Sequence, residues 1–181
     1  MPLRAALRTL ALVAALAPVA TACASAPKEG FDGSVYKKGQ VAFRVPPLPP
    51  TWKAVTLRQA ALSFRDAAHD ASILVNARCG PLDHDTPLVA LTSHLLIGTT
   101  ERDVRSQEVE PLDGREALHT QVVAKLDGVP LWFDMFVLKK DGCVYDFVYF
   151  APVGKGEGGA EAFRGVVRGF QTLAGSGSGS T

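Results

Sequence analysis

The stretch Leu131–Pro152, LWFDMFVLKKDGCVYDFVYFAP, decides how this chain folds. Asp141-Gly142 lies at its centre, and Asp-Gly supplies the positive φ angles that a two-residue hairpin turn demands. With that turn, Lys140 faces Cys143 and Asp134 faces Tyr149. Side chains alternate across a strand, so one face presents Trp132, Phe136, Leu138, Tyr145 and Phe147. The other presents Leu131, Phe133, Met135, Val148 and Phe150. Both faces are apolar, and both must be covered.

Working outward, Asp113-Gly114 and Asp127-Gly128 repeat the signal, and the three turns together predict a four-stranded meander. Val104–Val109 is its more polar, edge member. Upstream, Gln40–Val45 alternates and stops at the cluster Pro46-Pro47-Leu48-Pro49-Pro50, which reads as a rigid turn into Trp52. Trp52–Leu57 and Ala61–Arg65 are short strand candidates, and Ala71–Ala77 is apolar enough to be buried on both faces.

Two helices complete the set. Thr86 is the expected N-cap, with Pro87 at the first helical position and Gly98 as the stop. Leu88, Leu91 and Leu95 share one face of that helix, widened by Leu96. Gly159–Leu173 carries Phe163, Val166, Val167 and Phe170 on a second stripe. One helix for each apolar face predicts an α+β fold: an antiparallel sheet with a C-terminal meander of hairpins, flanked by helices on both faces in three layers.

Composition bounds the rest. The 181 residues are 47% hydrophobic and 20% charged, too polar for a multi-span membrane protein and too apolar for a disordered chain. A net charge of +1 gives no field for nucleic acid. Residues 1–22 read as a signal peptide: Arg4 and Arg8, then an apolar run from Thr9 to Val19 that is shorter than the ~20 residues a spanning helix needs. Ala20-Thr21-Ala22-Cys23 resembles a bacterial lipobox, although Ala20 stands where leucine is usual and Ala20-x-Ala22 would also suit the ordinary secretory peptidase.

Cys23 is therefore the expected lipid attachment site, and 23–39 a lipidated N-terminus and flexible tether. Residues 40–174 form a single domain, and 175–181 (GSGSGST) a disordered tail. Loss of Arg4 and Arg8 leaves 17 basic against 18 acidic residues, so acyl chains rather than a basic patch must hold the membrane. Acylation of Cys23 leaves Cys79 and Cys143 as an even pair in an oxidising compartment. A disulfide between them is expected, separate buried thiols being the alternative.

The order of elements resembles the PsbP/Mog-like fold. The residues that carry the likeness are Val41-Ala42-Phe43-Arg44-Val45, Pro50-Thr51-Trp52, Ile73-Leu74-Val75, Tyr145 ahead of Ala151-Pro152, and Phe163 and Phe170. The resemblance spans about 40–173 and implies an antiparallel sheet flanked by helices, together with a bias toward binding rather than catalysis. It brings no functional residue with it.

Reaction chemistry leaves little trace. Asp83-His84-Asp85 and His69-Asp70 place potential metal ligands side by side, but adjacent loop residues rarely converge on one ion. His94 falls off the leucine face of its helix, and His119 completes the histidines. Ser63, Ser72 and Ser93 lack a Gly-x-Ser-x-Gly context, and the glycine-rich run 154–159 lacks a Gly-Lys-Ser/Thr ending. Asp134 and Asp146 interrupt apolar strands, where a carboxylate pairs with Lys, Arg or a tyrosine such as Tyr149, or acquires a raised pKa for catalysis.

No catalytic, cofactor or metal site is expected. The chain is expected to be a lipid-anchored bacterial envelope protein at the outer membrane, facing the periplasm. There it would act as a non-enzymatic binding or assembly module for a protein partner. The alternative is a small envelope enzyme or ligand carrier, with a pocket between sheet and helix around Asp134 or a histidine.

Overall fold

The computed structural model describes residues 29–80 and 85–173. The expected signal peptide, Cys23, Asp83 and His84, and the expected tail over 175–181 lie outside them. The meander is built on the Asp-Gly turns. β7 (Thr99–Leu112), β8 (Arg115–Leu126), β9 (Val129–Lys140) and β10 (Cys143–Pro152) follow one another with two residues between neighbours. Each turn residue has positive φ, from 48° at Asp113 to 80° at Gly128. Cys143 pairs with Lys140 and Tyr149 with Asp134, the register that a two-residue turn dictates.

Three shorter strands precede the meander: β4 (Trp52–Ala54), β5 (Leu62–Asp66) and β6 (Ala71–Cys79). They extend it into a seven-stranded sheet, order β4-β5-β6-β10-β9-β8-β7. β10 is central and β7 is an edge. β7 carries two register shifts, between Thr100 and Asp103 and between Val104 and Ser106. Bulges and charges of this kind discourage edge-to-edge pairing.

The two helices are α1 (Leu88–Leu95) and α2 (Glu157–Arg168). Pro87, in extended conformation, takes the capping position of α1, one residue after the expected Thr86. Leu91 packs with Val137 and Val144, joined by Leu88 and Leu95. Leu96 joins Leu131, Phe133, Met135 and Val148. Ala160, Phe163, Val166 and Val167 of α2 belong to the largest cluster, with Phe136, Leu138, Tyr145, Phe147 and Tyr149. Alternate residues of β9 and β10 thus enter different clusters, and each buried Phe contributes roughly 1.5–3 kcal/mol.

Two expectations are corrected at the ends of the domain. The tether expected over 23–39 enters the fold at Gly30. β1 (Gly30–Phe31) and β2 (Val35–Lys38) pair with each other, and β2 pairs with β3 (Val41–Arg44). Asp32 closes the β1–β2 turn by accepting bonds from the backbone N–H groups of Ser34 (2.9 Å) and Val35 (2.7 Å). Tyr36 stacks on Phe43 with centroids 5.0 Å apart, and Phe31 meets Phe64 edge-on at 6.3 Å. Phe31 and Phe64 are distant in sequence, and composition alone gives no hint that they meet.

The last helix, expected to run to Leu173, ends at Arg168. Gly169 caps it, and β11 (Gln171–Thr172) pairs with β3. Phe170, 1% exposed, is drawn against Phe147 at 4.8 Å. Gly165 and Gly169 weaken the helical preference enough for this burial to prevail. The second sheet therefore runs β1-β2-β3-β11 and joins both ends of the described chain.

Cys79 and Cys143 stand opposite each other across β6 and β10 and form a disulfide. The bridge closes a loop of 64 residues, an entropic stabilisation of about 4 kcal/mol on the chain-entropy account. Replacing both cysteines by serine is expected to lower the unfolding free energy by up to about that amount. Urea denaturation would read it, and an unchanged midpoint would mean that the unfolded chain is already restricted.

Candidate functional site

The site grows from strand alternation. His119 of β8 stands opposite Phe136 of β9 and Glu108 of β7. Glu110 and Asp134 lie two positions along from those partners, so they share the face of His119 and flank it diagonally. The imidazole Nδ1 is 2.7 Å from Glu110 Oε1, and Nε2 is 2.6 Å from Asp134 Oδ1. The ring lies flat on Phe136, centroids 4.0 Å apart and planes 5° from parallel. Ionised carboxylates only accept, so with both of them ionised the two ring nitrogens donate and His119 is an imidazolium.

Burial disfavours that charge. The hydrogen bonds and charges of Asp134 and then Glu110 outweigh it, and the His119 pKa is raised above its ordinary value. Asp134 is fully buried. Its Oδ2 faces Arg164 Nε of α2 at 3.5 Å and has no hydrogen-bond partner among the described residues. Tyr149, although in register with Asp134, donates its hydroxyl to the Gly156 carbonyl at 2.6 Å. Burial pushes the Tyr149 pKa up to about 12, so this hydroxyl remains a donor.

Around the charged chain Glu110–His119–Asp134–Arg164 opens a groove of about 680 Å³ between the sheet and α2. Leu112, Phe136 and Val167 supply its apolar surface, and Arg168 and Asp113 its polar margin. Asp113 is committed elsewhere: its Oδ2 lies 2.8 Å from Lys140 Nζ and accepts from Thr172 N (2.7 Å) and Oγ1 (3.0 Å). Burial opposes ionisation of Asp113, but Lys140 and Thr172 prevail and hold its pKa below the usual carboxylate range. The turn between β7 and β8 is thereby tied to β11.

The other candidates have structural roles or stand apart. Asp146 is fully buried and ion-paired with Arg78. His69 Nδ1 meets the buried Asp66 at 2.7 Å. His94 is exposed on α1. Ser63 Oγ donates to the Val55 carbonyl at 2.6 Å, Ser93 Oγ to the Val89 carbonyl at 2.9 Å, and Ser72 Oγ accepts from Arg65 at 3.1 Å. In the glycine-rich run, a Cβ at Gly156 would stand 2.7 Å from the Trp132 ring, so that run is used for close packing. Among the described residues, no group of three or more His, Cys, Asp or Glu is arranged to hold a metal ion. In the His119 cluster, carboxylates occupy both ring nitrogens.

Asp134 is marked in the sequence by its place in an apolar strand, and His119 only by being a histidine. Their meeting, and that of both with Glu110 and Arg164, depends on the β7–β8–β9 register and the seating of α2.

No family model matches this sequence, and no curated protein matches it. Among solved structures, the cyanobacterial PsbP protein CyanoP of Synechocystis sp. PCC 6803 is similar, with TM-score 0.55 and 14% identity over 83% of this chain and 99% of that one. LpqN of Mycobacterium tuberculosis, involved in cell envelope biogenesis, gives TM-score 0.54 and 14% identity over 80% and 87% of the two chains. A point mutant of the protein Mog1 gives 0.52 and 13% over 76% and 93%. The chain thus shares the α+β fold of PsbP and Mog1, and at this identity the likeness is one of fold.

The raised pKa of His119 makes stability depend on pH in a stated direction. The imidazolium contribution is complete below the unfolded value near 6.5 and is lost as pH rises through the higher folded value. Raising pH from about 6 to about 9 should lower the urea midpoint of the wild type, and His119→Gln should flatten that slope. A slope unchanged by the substitution would refute the doubly donated imidazolium.

Proposed function

We propose that this chain is a lipid-anchored protein of the bacterial cell envelope, held through acylated Cys23 at the outer membrane and facing the periplasm. There it acts as a non-enzymatic binding or assembly module, and its contact site for a protein partner is the groove beside α2. One observation carries the reading: a charge-balanced chain of four side chains, centred on the fully buried Asp134, reaches the surface through half-exposed Glu110 and Arg164 in one groove, beside apolar side chains. Buried ionic groups are costly to desolvate, and a packed apolar surface would serve stability as well.

Binding is favoured over general-base catalysis because the His119 imidazolium keeps no lone pair free for abstraction. The frame is taken as three-layered, with α1 over one sheet face and α2 over the other. The entry of alternate β9 and β10 residues into separate clusters supports that arrangement. The involvement of LpqN in cell envelope biogenesis agrees with the address. The volume of the groove also falls in the range of small-ligand sites, which keeps a ligand carrier as the second reading.

Two measurements test this function. A photo-crosslinking residue at exposed Arg168, beside the groove, should trap a discrete envelope partner that the same residue at exposed Lys53 on β4 does not. Cys23→Ala should move the chain from the membrane to the soluble fraction. Equal trapping at both positions would remove the groove from the function, and continued membrane association of the Ala variant would remove the anchor.

A further inference from the structure

We infer that the groove receives the C-terminal residue of a partner polypeptide, with Arg164 as the receptor for its carboxylate and Glu110 as the acceptor for its backbone N–H. The inference rests on the groove being the contact site and adds the chemistry recognised there.

The negative groups around the groove are largely engaged. Asp134 Oδ1 is bonded to His119, and Asp113 Oδ2 meets Lys140 and Thr172. Arg168 is balanced by Glu161 on its own helix. Arg164 is different. Among the described residues its ion-pair partner is Asp134, reached through Nε, which leaves four of its five N–H donors, on the two Nη atoms, for a ligand. Asp134 is fully buried, so the guanidinium is oriented by a fixed charge before any ligand arrives. A fork of donors of this kind suits a carboxylate.

Two features narrow the class. Glu110 and Asp113 both line the groove, so a dianion such as a phosphate monoester meets repulsion that a monoanion meets less. Glu110 gives one oxygen to His119, and its other oxygen accepts nothing among the described residues. A C-terminal residue presents the complementary set: a monoanionic carboxylate, an N–H two bonds from it, and a side chain for the surface of Leu112, Phe136 and Val167. A simple alkanoate lacks the N–H. Capture of a terminal carboxylate by oriented donors is a known recognition mode.

The test uses the full chain in zwitterionic lipid nanodiscs, with empty discs as the blank, at the ordinary histidine pKa of about 6.5. Calorimetry and the Arg164 Nε–H resonance follow three probes. N-acetyl-leucine should bind and shift that resonance. N-acetyl-leucinamide, which lacks the carboxylate, should bind about tenfold or more weakly. 4-Methylpentanoate, which lacks only the acetylamino group, should bind several-fold more weakly. Arg164→Gln should abolish the preference for acid over amide. Arg164→Lys, which keeps a charge facing Asp134, should fold and retain part of it.

The inference is overturned if the amide binds as tightly as the acid, or if 4-methylpentanoate matches N-acetyl-leucine. It is overturned as well if no probe moves the Arg164 resonance at about 10 mM. Trapping of a partner at position 168 without acid binding would sink this inference and leave the groove as the contact site. Acid binding without a trapped partner would sink only the proposed function.

Discussion

The β9–β10 hairpin carries the structure, because its two-residue turn leaves one register open and that register makes both faces apolar. A slip of one residue would exchange the faces and set Asp134 and Asp146 on the wrong sides. With the register set, Phe136 and Phe147 enter one core cluster, and Met135, Val137 and Val144 enter others. β6 closes on β10 through the same alternation, and the disulfide joins the two strands at Cys79 and Cys143.

Against that apolar frame, buried charge is placed sparingly and always beside a counter-charge. Asp146 and Asp134 are both fully buried, twelve positions apart on adjacent strands, and each meets a cation: Arg78 for one, His119 and Arg164 for the other. The first pair joins β6 to β10. The second joins four elements, because Glu110 is on the edge strand β7, His119 on β8, Asp134 on β9 and Arg164 on α2. At its buried centre, where Asp134 meets His119, such a chain is strong when complete and destabilising when broken. It therefore fixes how the edge strand and the helix sit relative to the central sheet, and so the shape of the groove between them.

The small sheet adds a second constraint. β11 lies beside β3, and Asp113, in the first meander turn, binds Thr172 of β11. The two ends of the described chain are thus held in the same small sheet, and its β11 edge is tied to the meander. Phe43 and Phe170 meet at 5.5 Å and connect this sheet to the main core through Tyr145 and Phe147.

Much of this fold is legible in the sequence wherever the deciding interactions are local. Asp-Gly turns, strand alternation and the apolar stripes of α1 and α2 each act within a few residues, so the meander, its register and the presence of both helices follow from them, though not the end of α2. The cysteine pairing could be expected from parity. Distant partners decided the rest. Phe31 is received by Phe64, far along the chain, and Phe170 leaves the helix because the core offers it more than two glycine-weakened turns can. The site belongs to this second group: Glu110, His119, Asp134 and Arg164 are scattered along the chain and share no motif. By itself the sequence determined the hairpins, because a turn and a two-residue period are short-range physics. Only the tertiary structure decided that four charges meet in one groove, because that depends on strand register summed across three strands and on where α2 comes to rest.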